Sequence, residues 1–177
     1  VSVETFEKTP FEWDVGWTLP PPPKGLAPIP SEAWLLDALT STMASSIDAI
    51  DLHRVAALGA RGAALELLEG ARQGSRHAHG WWSAAEVDGA LVGFVMPVIL
   101  DGERRIGSIY MMGVLPSFRG RGHALTLVAH ATRVLVEGGA ERILCDTDSK
   151  NEPMIRAFRR CGYRELAPWV RRVDGQP

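Results

Sequence analysis

The stretch that most constrains this chain is a glycine-rich turn set between a strand pattern and a helix pattern. Strand-forming residues occupy 105–115, Pro116 ends them, and Arg119-Gly120-Arg121-Gly122-His123-Ala124 follows. An apolar stripe at Leu125, Val128, Ala129, Thr132, Leu135 and Val136 then marks one helix face, closed by Gly138-Gly139. A helix N-terminus presents unpaired N–H groups and the positive end of the macrodipole. Gly120 and Gly122 let backbone approach an anion with no Cβ in the way, and the small Ala124 lets the helix begin close to it. Such a turn is a cradle for a pyrophosphate, and Arg119 and Arg121 add positive charge at its lip. It is not a Walker loop, which needs Gly-Lys-Ser/Thr. Nor is it the dinucleotide fingerprint, whose last glycine is Leu125 here.

The rest of the chain supplies the elements around this turn. Ser31 can cap a helix whose face carries Trp34, Leu35, Ala38, Leu39, Thr42 and Met43. A second helix runs from Ser46 or Asp48 to Arg72, with Gly59 and Gly62 as points where it can bend. Residues 81–87 and 90–100 flank Asp88-Gly89, a two-residue hairpin turn. Residues 142–147 form a short strand. Asn151 can cap a further helix, with Pro153 in its first turn and Gly162 beyond its end. Residues 163–166 and 169–173 read as closing strands. This order gives an α/β fold with a mixed sheet. Residues 1–30 hold Trp13, Trp17 and prolines at 20–23, 28 and 30. We read them as an N-terminal arm with a Pro-rich extended connector and a short strand near 13–19. Residues 31–177 read as one domain.

Composition removes several function classes. The net charge of -2 leaves no basic footprint for nucleic acid. No apolar run reaches the roughly 18 residues of a membrane span, and the N-terminal residues lack a signal-peptide pattern. Cys145 and Cys161 fall inside predicted elements, which points to buried thiols, a reducing compartment and a cytoplasmic location. His77 and His79 have no Cys or Asp beside them, so no metal is expected.

The segment Arg119-x-x-Gly122-x-Ala124, after a strand and Pro116, resembles the Arg/Gln-x-x-Gly-x-Gly/Ala signature of the GCN5-related N-acetyltransferase (GNAT) superfamily. Asn151-x-x-Met154-x-x-Ala157-Phe158-x-x-x-Gly162-Tyr163 is similar to that family's last helix and the strand after it. The resemblance covers residues 30–173. It implies a mixed, mostly antiparallel central sheet flanked by helices, with two splayed strands forming an acyl-CoA cleft. It implies acetyl-CoA as cosubstrate, an amine acceptor, direct attack on the thioester, and often a homodimer. Pantetheine would pair with the backbone of Met112, Gly113 and Val114. The amides of Gly120, Arg121, Gly122, His123 and Ala124 would hold the pyrophosphate. A backbone N–H at Gly113 or Val114 would polarise the thioester carbonyl, and Gly113 suits a bulge or close approach. Asn151 would contact pantetheine, cap its helix, or both.

Two departures from the family pattern bear on proton transfer. The common general acid is a Tyr on the last helix; Phe158 takes its place, on the cosubstrate side. Some relatives carry a carboxylate on the strand before the loop; Ser108 stands there, with Tyr110 on the same face, as a water relay or as strand packing. Asp146 and Asp148 share a face by strand alternation and are either bases or turn caps. Asp48 and Asp51 are either a cation site or helix N-terminal charges. The departures leave a second reading, a module that binds acyl-CoA without turnover.

Overall fold

The computed structural model of the chain describes residues 3–102 and 104–174, so residues 1–2 and 175–177 of the two expected segments lie outside it. In chain order the elements are β1 (Val3–Asp14), β2 (Leu26–Pro28), α1 (Glu32–Ala44), α2 (Ala49–Gln73), β3 (Ser75–Arg76), β4 (Ser83–Val87) and β5 (Ala90–Leu100). Then come β6 (Ile106–Val114), a 3-10 turn (Pro116–Phe118), α3 (His123–Glu137), β7 (Arg142–Asp148), α4 (Glu152–Arg160), β8 (Arg164–Glu165) and β9 (Trp169–Asp174). The strands form one sheet in the order β2-β4-β5-β6-β7-β1-β8, with β3 beside β5 and β9 beside β1. Among the described residues only β6 and β7 run parallel. The expected mixed, mostly antiparallel sheet flanked by helices is what is found.

The local signals act as their chemistry dictates. Ser31 Oγ accepts from the Trp34 amide at 3.1 Å and starts α1. Asp48 Oδ1 accepts from Ile50 N at 3.0 Å and starts α2, which is interrupted at Gly59 (φ 70°, ψ 162°). Asp88 (φ 51°) and Gly89 (φ 78°) both adopt the left-handed conformation that a two-residue hairpin requires. Helices α1 and α2 cover one face of the sheet over Phe94 and Met96. Helices α3 and α4 cover the other, over Phe11, Trp13 and Ile143. Burying one such large apolar side chain contributes about 1.5–3 kcal/mol.

Residues 3–14 correct the sequence reading. They are not an arm outside the domain but an interior strand, paired with β7 along Lys8–Asp14 and with β8 and β9 on the other edge. The expected strand at 13–19 lies earlier in the chain. Phe11 and Trp13 are almost wholly buried, and Phe11 stacks on Phe158 at 4.8 Å. Pro10 is tolerated inside this strand for a geometric reason. Its carbonyl accepts from Leu166 N, on the β8 side. A residue's N and O share one edge of a strand, so the missing N–H falls at the gap between β8 and β9 and spares the β7 ladder. The connector after β1 crosses α3, where Arg133 donates to the Pro20 carbonyl at 3.1 Å.

Candidate active site

Strands β6 and β7 pair only at Ile106–Arg142 and Gly107–Ile143, then diverge. At the crotch Cys145 Sγ accepts from the Ile109 amide at 3.4 Å. Burial pushes this thiol up to about 12, so it stays protonated. Beyond it lies a cleft of about 890 Å³, walled by β6, the glycine-rich loop, the start of α4, the end of α1 and the start of α2.

The edge of β6 inside this fork has a defined polarity. Leu115 N–H donates to Val92 in β5, and groups alternate between edges along a strand. Val114 and Met112 therefore turn their N–H and C=O groups toward the fork, while those of Gly113 face Phe94 in the ladder. The Val114 carbonyl accepts from Arg119 Nε at 3.0 Å, on that same open edge. Of the two amides expected to polarise a thioester, the alternation favours Val114. The bulge expected at Gly113 lies instead at Tyr110, which has no partner between Met96–Met111 and Pro97–Ile109. As a result Tyr110 and Met111, neighbours in sequence, both pack toward α1 and α2, while Ile109 and Met112 face the α3 side. Gly113 is needed for close approach all the same: a Cβ there would lie 2.4 Å from Thr42 Oγ1 of α1.

The loop fits an anion. Gly120 (φ 78°) and Gly122 (φ 85°) hold left-handed conformations, and Gly122 caps α3 without a side-chain bond. A Cβ at either would meet nothing within 4 Å. Leu125 N–H donates to Gly122 O at 3.0 Å, and among the described residues the amides of 121–124 have no protein acceptor. Arg119 differs from expectation. Its guanidinium donates to Val114 O, to Ser45 O at 2.9 Å and to Ser45 Oγ at 2.7 Å, so it is a strut joining the loop to β6 and the end of α1. Arg121 lies over the Phe118 ring, 5.8 Å from its centroid. Gly120, Gly122, His123, Ala124, Asn151 and Phe158 all line the cleft. Asn151 also accepts from Met154 N at 3.4 Å and caps α4.

The proton-transfer candidates separate. Ser108 does not line the cleft; its side chain lies near the buried Cys145 thiol, so the structure does not bring it together with Tyr110, which does line it. Phe158 is buried between Phe11 and Tyr163 and has no proton to give. Asp148 is consumed in capping, accepting from Ala49 N at 3.1 Å and Lys150 N at 2.8 Å. Asp146 stands open on the cleft wall, its carboxyl raised above the ordinary aspartate range by desolvation, against the lowering effect of Lys8. Lys8 lies 2.7 Å from Asp48 and 3.9 Å from Asp146. Asp51 is raised too, by burial, although Ser46 Oγ donates to it at 2.7 Å. Sequence reasoning missed Lys8 and Arg171 as cleft residues, because both lie on strands whose partners are remote in sequence. The alternation that places Phe11 and Trp13 on one face of β1 was the available signal.

Comparison with known proteins agrees with this geometry. Residues 48–163 match the Acetyltransferase (GNAT) family. An acetyltransferase of Yersinia enterocolitica is 38% identical over 79 residues, which are 45% of this chain and 54% of that protein. This chain thus spans about half the length of that curated relative. A GCN5-related N-acetyltransferase from Sphaerobacter thermophilus has a similar fold (TM-score 0.60, 20% identity, 96% of this chain and 51% of that one). So does an acetyltransferase from the GNAT family from Colwellia psychrerythraea (TM-score 0.60, 15% identity, 96% and 56%). At these identities the structures speak for the fold alone. The family match covers more than half of the chain, the fork and the glycine-rich loop included, and the chain belongs to the GNAT family of acetyltransferases.

Proposed function

We propose that this protein transfers an acetyl group from acetyl-CoA to the amine of a small molecule by direct attack. The observation that carries the reading is the fork between β6 and β7, whose open backbone edge leads into the anion cradle at the start of α3. Met112 and Val114 supply donors and acceptors that pair with pantetheine, and the amides of 121–124 take the pyrophosphate. The Val114 amide stabilises the oxyanion that forms as the amine nitrogen bonds to the thioester carbon. Asp146 takes the proton that the amine loses. The C–S bond then breaks, and with Phe158 unable to donate, the sulfur draws its proton from solvent. Asp48, Asp51 and Arg54 wall the acceptor side, which supports a small acceptor.

The test is release of CoA thiol from acetyl-CoA across a panel of amines, with acetyl-CoA binding measured alongside. Turnover with at least one amine is the expected result. Binding without turnover would favour the non-catalytic module, and no binding would sink the proposal. Asp146→Asn is expected to lower kcat/KM by about 10²–10⁴-fold. In the wild type the acid limb of kcat/KM lies above the ordinary aspartate value of about 3.9, because desolvation favours the protonated form; the variant loses that limb. The same raised pKa makes Asp146 stabilising below its unfolded pKa, and that contribution is lost as pH rises through the folded value.

A further inference from the structure

Buried side-chain polar atoms almost always have a hydrogen-bond partner, and each exception asks for a reason. Among the described residues the exceptions are Thr42 Oγ1, His77 Nδ1, Trp82 Nε1 and Arg142 Nε. Arg142 lies against the Glu12 carboxylate, and His77 and Trp82 stack on each other away from the cleft, at 4.1 Å. Thr42 alone of these lines the cleft. It is 7% exposed, and a threonine on a helix can satisfy itself by donating to the carbonyl four residues back. Thr40 does so, to Leu36 O at 2.7 Å; Thr42 does not.

The position of the hydroxyl is specific. Oγ1 occupies the space beside Gly113 that a side chain at residue 113 would need, 2.4 Å from where its Cβ would stand. The next amide along the chain is that of Val114, which faces the fork. Thr42 on the α1 face and Val114 on the strand edge both line the cleft. This inference rests on the acetyl-transfer reading of the cleft: we propose that the Thr42 hydroxyl donates a hydrogen bond to the thioester carbonyl oxygen of bound acetyl-CoA, beside the Val114 amide. The negative charge that builds on that oxygen during attack strengthens the bond, so the group acts more on the transition state than on ground-state binding.

Thr42→Val keeps the shape and removes the hydroxyl; Thr42→Ser keeps the hydroxyl. Binding of acetyl-CoA and of free CoA, thermal unfolding without ligand, and steady-state turnover are measured for the wild type and both variants. For Thr42→Val we expect kcat to fall by about 10²-fold, the lower end for a lost oxyanion donor. Acetyl-CoA should bind several-fold more weakly and free CoA, which has no carbonyl at that point, equally well. Thr42→Val should unfold at the wild-type temperature or above it, because an unsatisfied hydroxyl has been removed. Thr42→Ser should retain most of the turnover. Wild-type kcat in Thr42→Val, an equal loss of CoA and acetyl-CoA binding, or a Ser variant as impaired as Val would each overturn the assignment. A wild type that binds neither ligand would instead overturn the function on which it rests.

Discussion

Acetyl-CoA binding is expected to fall by about 10³-fold in Gly122→Asp, with the fold intact. Gly122 is the left-handed cap of α3, and space around its Cα is open. Aspartate is among the few residues that visit this conformation, so the backbone accepts it at modest cost. Its carboxylate then stands in the cradle. Two like charges about 4 Å apart at an effective dielectric of about 20 repel by about 4 kcal/mol, and every 1.4 kcal/mol is about tenfold in affinity. The charge also takes the unpaired amides for itself. Gly122→Asn has nearly the same size and conformational tolerance without the charge, and about a tenfold loss is expected from filling the space alone. Titration calorimetry on the three proteins, with thermal unfolding as the check on folding, separates charge from volume. Equal binding by the wild type and Gly122→Asp would remove the pyrophosphate from this loop.

Lys8→Met is expected to destabilise the protein by about 3 kcal/mol, toward the lower end for breaking a buried ion pair. The ammonium of Lys8 and the carboxylate of Asp48 are both nearly closed to solvent, at 8% and 14% side-chain exposure. Methionine leaves the Asp48 charge in place without its partner. Part of the cost is absorbed because Asp48 still accepts from the amides of Ile50 and Asp148. Lys8→Met with Asp48→Asn should recover much of the loss, since no charge is then left unpaired. Urea unfolding of the single and double variants measures this. Lys8 also holds the pKa of Asp146 down, so Lys8→Met should move the acid limb of kcat/KM to higher pH. A variant with unchanged stability and an unchanged limb would show that Lys8 is a solvated bystander.

The parts of the site legible in the sequence are those written in a few consecutive residues. The loop at 119–124, the caps Ser31 and Asn151, and the turn at Asp88-Gly89 are each specified by local backbone chemistry, and each is found where it was expected. What could not be read depends on contacts between distant segments. Pro10 and five charged residues disguise β1, and only the break between β8 and β9 makes the proline acceptable there. Arg119 reads as a charge for the ligand until α1 brings Ser45 to it. Ser108 and Tyr110 share a face by simple alternation, yet the bulge at Tyr110 is a property of the pairing with β5 and not of either residue.

The place of β1 has a kinetic consequence. Thr9 meets Ser149 across 140 residues of chain, and the neighbouring rungs of the β1–β7 ladder are closed over similar separations. Contacts of such range are slow to form, because the loop must be closed before they repay it. The hairpin of β4 and β5 and the packing of α1 on α2 involve short separations and can precede them. One wall of the fork, with the amides of β6 and the anion loop, therefore exists before the other. The second wall, with Asp146 and Lys8, is completed only when β1 is captured between β7 and the pair β8 and β9. Until then β7 presents a bare edge, so the nascent chain is most exposed to mispairing at the very place where the finished protein holds its substrates.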